Sequence, residues 1–349
     1  MKRILIIRPT AMGDIVMASP MIEVLRRAYP EGHLAWLVDP GLAVLLRDHP
    51  GLDEVIPWSK AEWEKLLHGG RWLALTRAVW RLARELRRRR FDLALDVQGL
   101  ARSRLLAWLS GARQRIGFTS KEPGGFLLTR LVSRGPDSDR MSSEYRYMME
   151  ILGLDPGTFA PHLAVAEGDR QAAAALLRDA GVVGDYAVLA PFTTRPQKHW
   201  FADRWAVLAA RIEKDLGLSP VILGGPGDAA AGEAIAREGG GATRSLAGRS
   251  PLAVSVAVVA GATLVVGVDT GLTHMGSAFA RPTVALFGAT CPYRETASPA
   301  TRVLYHYLPC SPCKRTPTCD GRYDCMVALT VDDVTRAASE LLRRVEAAR

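Results

Sequence analysis

Short apolar runs recur along the whole chain, each ending in a loop rich in Gly, Thr or Asp and followed by a helical stretch. This alternation limits the fold more than any other feature. The runs lack the in-out alternation of half-exposed strands, so they read as strands buried on both faces of a parallel sheet. In the first half they are Arg3–Arg8, His33–Val38, Val55–Pro57 and Leu93–Val97, with helices predicted over about Val16–Ala28, Trp72–Arg90 and Arg102–Leu109. In Trp72–Arg90, Leu75, Val79, Leu82 and Leu86 fall on one helical face. The second half repeats the plan with strands Tyr186–Ala190, Pro220–Leu223, Leu264–Val268 and Thr283–Phe287. Its helices are Asp203–Leu216, one from Ala229, and an Ala/Val-rich one after Pro251. An α/β protein of two doubly wound, Rossmann-like parallel-sheet domains follows. The length of 349 residues suits two such domains. Asp155-Pro156-Gly157 and Gly181–Gly184 flank an Ala-rich helix, which places the break near there: 1–165, then 166–330, then a C-terminal helix over 331–349. Such sheets bind ligands beyond the carboxyl ends of their strands, where the strand order reverses, so a cleft between the domains is the expected site.

Composition removes several alternatives. An apolar content of 48% against 23% charged residues excludes a disordered chain, and five cysteines in this length cannot form a disulfide scaffold. The net charge of +9 requires either an anionic partner or only a soluble basic surface. The apolar start Ile4–Ile7 is stopped by Arg8 and Pro9, too soon for a secretory signal. The uncharged stretch Pro251–Val268 is long enough to suggest a membrane span. Gly261-Ala262-Thr263 instead divides it into a short helix and a buried strand, and a cytoplasmic protein is expected.

The loops after the strands carry the chemistry. After the first, Met12-Gly13-Asp14 opens a helix; Gly13 permits close backbone approach, and the helix start offers free N–H groups. Asp14 reads as a helix cap or as a carboxylate able to take a proton from a hydroxyl. No Gly-Lys-Ser/Thr follows, so this is not a P-loop. Thr193-Thr194-Arg195 with Lys198-His199-Trp200 could bind phosphate, or could be a solvated basic loop. Gly224-Gly225-Pro226-Gly227-Asp228 matches a dinucleotide loop only loosely, and Asp228 reads as a ribose ligand or a cap. Asp269-Thr270-Gly271, one turn before His274, ends a buried strand and starts a helix whose N–H groups could cradle a diphosphate.

Met12-Gly13-Asp14, Asp96-Val97-Gln98-Gly99-Leu100, the Thr193–Trp200 segment, Gly224–Asp228 and Asp269–His274 occur in the order seen in ADP-heptose:lipopolysaccharide heptosyltransferases. As a set they resemble that family, glycosyltransferase family 9. Gln98-Gly99-Leu100 and Thr193-Thr194-Arg195 look most like heptosyltransferase I; the cysteine-bearing tail looks more like heptosyltransferase II. The resemblance implies a GT-B fold, with the acceptor on the first domain and the ADP-sugar on the second. It implies inverting transfer that requires no metal cofactor. Asp14 would be the general base, and Lys198 would neutralise the departing diphosphate. Thr193, Thr194, Arg195, Asp228, Asp269, Thr270, Gly271 and His274 would bind the donor, ADP-heptose. Met12, Gly13, Gln98, Arg113, Arg115 and Lys121 would meet the acceptor, an anionic Kdo-lipid A. The enzyme would then be peripheral on the cytoplasmic face of the inner membrane. The basic side of Trp72–Arg90, with Arg77, Arg81, Arg84 and Arg87–Arg90, suits a membrane surface or simply a solvated helix face. Lys60-Ala61-Glu62-Trp63-Glu64-Lys65 is more acidic than the basic cluster that some type I members carry there.

Cys310, Cys313, Cys319 and Cys325 lie within sixteen positions and could hold a structural zinc as thiolates, with unligated thiols as the alternative. Cys291, outside this group, reads as an ordinary half-buried thiol. Within the family, a heptosyltransferase II or another member with a different acceptor is the competing reading; two rivals from outside it are weaker. An NAD-dependent oxidoreductase lacks a clean Gly-x-Gly-x-x-Gly after its first strand. A nucleic-acid-binding protein would interleave aromatic residues with its positive charge and carry a reader motif, so no nucleic acid partner is expected.

Overall fold

The computed structural model describes residues 1–137, 139–290, 293–313 and 316–347. Met1–Asp137 with Ser142–Phe159 form one compact unit; the short segment ending at Met141 and the chain from Ala160 onward form a second.

The first unit holds six strands: β1 Arg3–Ile7, β2 His33–Val38, β3 Glu54–Pro57, β4 Leu93–Asp96, β5 Gln114–Phe118 and β6 Arg130–Val132. They lie in the order β3-β2-β1-β4-β5-β6, all parallel. Ile4–Ile7 of β1 are buried completely, because a central parallel strand is covered on both faces. Leu5 and Ile7 with Ala35 and Leu37 face Leu82, Leu86 and Leu106 from the helices Trp72–Arg88 and Ala101–Leu109. Ile15, Met21, Ile22 and Leu25, from the helices Met12–Ala18 and Pro20–Ala28, are buried as well.

The second unit repeats the topology. Its strands are β7 Tyr186–Ala190, β8 Ser219–Ile222, β9 Arg244–Ser245, β10 Leu264–Val268, β11 Thr283–Phe287 and β12 Thr301–Tyr305, in the order β12-β11-β10-β7-β8-β9. Counted from each unit's own first strand, both sheets run 3-2-1-4-5-6. Trp205, Leu208 and Ile212 of the helix Ala202–Leu216, and Val334, Ala338 and Leu341 of the helix Val331–Ala347, cover one face. The apolar stretch that resembled a membrane span is the helix Leu252–Gly261 followed by β10. That helix is apolar all round because it packs against the helices Glu167–Asp179 and Gly271–Ala278. No described helix is long and apolar enough to cross a membrane.

Three local expectations change. The first helix is two, Met12–Ala18 and Pro20–Ala28, since Pro20 lacks the N–H that continuity needs. The marginal strands β5, β6, β9 and β12, and the helices Lys60–His68 and Ser143–Ile151, have no clear apolar period in the sequence. Arg89 leaves the basic helix face: its guanidinium bonds Glu54 on β3 at 2.9 and 3.0 Å. Cys291 lies outside the described residues.

Candidate active site

In both sheets the strand order reverses beside the first strand, so the loops after β1 and β4, and after β7 and β10, flank the switch points. Most of the predicted chemistry sits there or in the next loop along, each set within its own unit.

In the first unit, β1 runs into Arg8 and the helix Met12–Ala18. Asp14 is the third residue of that helix, and its Oδ2 accepts from the Ala11 N–H at 3.4 Å and pairs with the Arg8 guanidinium. Asp14 is therefore not the N-cap, which is Ala11, but bonds back to the cap residue's N–H with one oxygen. Oδ1 has no hydrogen-bond partner among the described residues, and the side chain is 37% exposed. One carboxylate thus bonds back with one oxygen and presents the other. Arg8 is buried, donates to the Val97 carbonyl at 2.7 Å, and lies 5.9 Å from the Tyr145 ring centroid. It ties the loop after β1 to the loop after β4.

The same two loops are joined a second time. Gln98 Nε2 donates to Thr10 Oγ1 at 3.1 Å, while its Oε1 accepts from the Thr10 N–H at 3.3 Å. The buried Asp96 Oδ1 accepts from the N–H groups of Gln98 and Gly99 at 3.1 and 3.0 Å and shapes that turn; burial pushes its carboxyl up. Gly99 needs its glycine, with φ at +73°. Its carbonyl accepts from Ser120 Oγ at 2.6 Å, which fixes the loop bearing Lys121 beside it. Arg134 pairs with Glu144 and donates to the Gln98 carbonyl at 3.3 Å. Met12, Gly13, Asp14, Gln98 and Lys121 therefore share the carboxyl edge of one sheet. Arg113 and Arg115 do not. β5 starts at Gln114 opposite Leu93, so they lie at the amino edge, where Arg115 donates to the carbonyls of Leu127 and Ala112 at 2.8 and 2.7 Å.

In the second unit, Lys198 Nζ meets Asp269 Oδ2 at 2.5 Å. The same oxygen accepts from Thr290 Oγ1 at 2.6 Å, and Oδ1 lies 3.2 Å from His274 Nε2. His274 Nδ1 is 2.5 Å from the hydroxyl of buried Tyr293. Burial would raise the Asp269 carboxyl, but its interactions with His274 and Lys198 outweigh that and hold it well below the usual carboxylate range. Burial, and then the Asp269 charge, push the Tyr293 phenol well above its ordinary value. The phenol keeps its proton and can donate to Nδ1, which leaves Nε2–H to donate to Asp269. Asp269 thus meets Lys198, Thr290 and His274 and anchors the lysine.

The surrounding loops fit this centre. His199 Nε2 bonds the Thr193 carbonyl at 2.8 Å, Thr193 Oγ1 reaches the Asp269 carbonyl at 3.5 Å, and Thr194 is exposed. Arg195 has no side-chain hydrogen bond among the described residues. Asp228, after β8, caps the Gly225 N–H at 2.8 Å. Thr270 is the cap residue of the helix Gly271–Ala278. That helix packs so close to β10 that a Cβ on Gly267 would collide with Thr273 Oγ1. The residues named for donor binding thus stand beyond β7, β8 and β10, which are neighbours in the sheet. The sequence reading does not include Thr290 and Tyr293; the loop Gly288-Ala289-Thr290 directly after β11 is the signal for them.

The four cysteines are free thiols, with Cys319 and Cys325 buried and Cys310 and Cys313 partly so. Their sulfurs are not gathered at ligand distances among the described residues. A histidine–carboxylate pairing lies elsewhere, in the first unit, where buried His49 is 3.9 Å from Glu23.

Two Rossmann-like units of one topology, each with polar and charged side chains at its switch point, have the architecture of the GT-B glycosyltransferases. The family model for glycosyltransferase family 9 (heptosyltransferase) matches residues 79–323. Lipopolysaccharide heptosyltransferase 1 of Pseudomonas aeruginosa is 31% identical over 90% of this chain and 87% of its own length. Lipopolysaccharide heptosyltransferase 2 of Escherichia coli K12 is 25% identical over 99% of this chain and 100% of its own. The crystal structure of the glycosyl transferase family 9 from Veillonella parvula superposes with a TM-score of 0.82 at 24% identity, covering 98% of this chain and 97% of that one. The chain belongs to glycosyltransferase family 9, the heptosyltransferases.

Proposed function

We propose that this enzyme transfers heptose from ADP-L-glycero-D-manno-heptose to the Kdo region of the lipopolysaccharide inner core, as a heptosyltransferase I. The observation that carries the chemistry is the division of labour between Asp14, with one oxygen tied and one open, and Lys198, braced by Asp269. Asp14 Oδ1 takes the proton of the acceptor hydroxyl. The hydroxyl oxygen attacks the anomeric carbon from the face opposite the diphosphate, and the anomeric C–O bond breaks with inversion. ADP leaves with the bonding pair; Lys198 and the N–H groups at the start of Gly271–Ala278 stabilise its charge, an electrostatic contribution fixed before reaction. Thr193, Thr194, Arg195, Asp228, Thr270 and His274 hold the donor on the second unit. Met12, Gly13, Gln98 and Lys121 meet the anionic acceptor on the first, with Arg113 and Arg115 omitted because they stand at the far edge of the sheet. The acceptor is a lipid, which puts the enzyme on the cytoplasmic face of the inner membrane as a peripheral protein.

The test is transfer from ADP-heptose to Kdo-lipid A, followed by mass spectrometry, beside the same lipid already bearing one heptose. Heptose added only to the unglycosylated acceptor is expected. Addition only to the heptosylated one would make the enzyme a heptosyltransferase II, which the full-length match to that relative favours as a second reading. Zinc held by Cys310, Cys313, Cys319 and Cys325 would be structural, outside the transfer step. Metal analysis of protein purified without chelator tests it, and less than about a tenth of an equivalent of zinc would exclude it.

A further inference from the structure

The helix Trp72–Arg88 has one face in the core and a second face of unusual composition. Ala78, Leu82, Ala83 and Leu86 are buried. On the opposite side, Leu73, Arg77, Trp80, Arg84 and Arg88 follow one another at spacings of four and three, a single ridge along the helix. Leu73 is 76% exposed, Trp80 63%, and Trp72 in the first turn 61%. The neighbouring Arg81 and Arg87 are exposed too. None of the five arginines from Arg77 to Arg88 has an ion-pair partner among the described residues, whereas Glu85 is neutralised by Arg89 at 3.2 Å. Arg84 stacks 5.2 Å from the Trp80 ring. Arg77, Arg81, Arg84 and Arg88 surround Trp80 on this face, with Glu85 among them.

A solvated basic face explains the arginines but not large apolar side chains held in water among them. Phosphate recognition alone also leaves Leu73 and Trp72 without a role. A helix lying in the plane of an anionic bilayer uses both: arginines meet the lipid phosphates, and Trp and Leu enter the headgroup–acyl boundary. Placement agrees. The helix returns the chain to the amino end of β4, so its first turn, with Trp72 and Leu73, lies toward the carboxyl edge that carries Asp14 and Gln98. We propose that the ridge Leu73-Arg77-Trp80-Arg84-Arg88, with Trp72, docks the enzyme on an anionic lipid surface and so delivers that edge to a membrane-held acceptor. This deepens the glycolipid-acceptor reading above and rests on it for its purpose, not for its binding chemistry.

The experiment is flotation of the full chain with vesicles of phosphatidylethanolamine containing about one third phosphatidylglycerol, and with phosphatidylcholine alone. The wild type should float with the anionic vesicles and be released by about 0.5 M salt. Trp72→Ser/Leu73→Ser/Trp80→Ser should lower partition at least about tenfold, and Arg77→Gln/Arg81→Gln/Arg84→Gln about fivefold per residue. Both variants should keep the wild-type melting temperature and the wild-type rate on a water-soluble, deacylated acceptor. Equal flotation of wild type and variants would overturn the proposal, as would no flotation of wild type at low salt. Variants that still float but lose affinity for duplex DNA would transfer the ridge to nucleic acid and overturn it too. Intact flotation with no heptose transfer would sink the acceptor reading alone and leave the docking surface standing.

Discussion

Asp269→Asn is the substitution that reports most directly on the donor-side centre. It removes a charge and almost no volume. The Lys198–Asp269 pair has side chains 16% and 15% exposed, so it is partly shielded from water. Opposite charges a few ångströms apart at an effective dielectric near 20 attract by about 4 kcal/mol. The amide also turns an N–H₂ toward Lys198 or Thr290, which loses about 1 kcal/mol of hydrogen bonding. Lys198 can recover about 2 kcal/mol by turning to solvent, which leaves a net loss of about 3 kcal/mol. In a unit of this size that lowers the melting temperature by about 6–12 °C. The direction of pH dependence follows from the depressed carboxyl. The Asp269 contribution is whole above the unfolded aspartate value of about 3.9 and is lost as pH falls toward the folded value. The deficit of the variant should therefore be equal at pH 7 and pH 5 and shrink below about pH 4. Denaturant unfolding of wild type, Asp269→Asn, Lys198→Met and the double variant gives the cycle; a coupling of about 2–3 kcal/mol is expected. Steady-state kinetics should show kcat/KM for the donor falling about a hundredfold. Additive stabilities, or a loss below about 1 kcal/mol, would refute the view that Asp269 exists to hold Lys198.

Asp14→Asn should cut kcat by about 10²–10⁴ while ADP affinity, measured by calorimetry, stays within about twofold; turnover near wild type would remove Asp14 as the base. Arg8→Met should also slow transfer, and it should destabilise the first unit by about 1–2 kcal/mol in urea unfolding, because the buried Val97 carbonyl loses its donor while water screens the half-exposed Asp14. Tyr293→Phe keeps the ring against Phe287 and removes only the bond to His274; a loss of about 1 kcal/mol and a few-fold weaker donor binding are expected, and an unchanged donor KM would break the proposed chain to Lys198. Gly267→Ala should cost about 2 kcal/mol or more, read as a melting shift, because Thr273 blocks the added methyl.

The alternation of buried runs and amphipathic helices determined the α/β class, the two-sheet plan and the loops that would carry chemistry. Those are local properties. A run such as Ile4–Ile7 must be covered on both faces wherever it lies, and a loop after a parallel strand must emerge at the carboxyl edge. Margins of the sheets were not legible, because β6 and β9 are only three and two residues long and β12 is partly exposed along its whole length, with little apolar pattern to read. Pairing was not legible either. Arg113 and Arg115 have the right charge but stand at the amino edge, a consequence of β5 starting opposite β4. Asp14 could be read as cap or base, and only the contacts to Arg8 and Ala11 tie one of its oxygens and leave the other open. Asp269 and Lys198 are 71 positions apart, and Thr290 and Tyr293 come from a third strand end. The sequence therefore determined which residue types reach each edge. Tertiary structure decided which charges meet there, because an ion pair depends on distances that strand order sets and that no local pattern encodes.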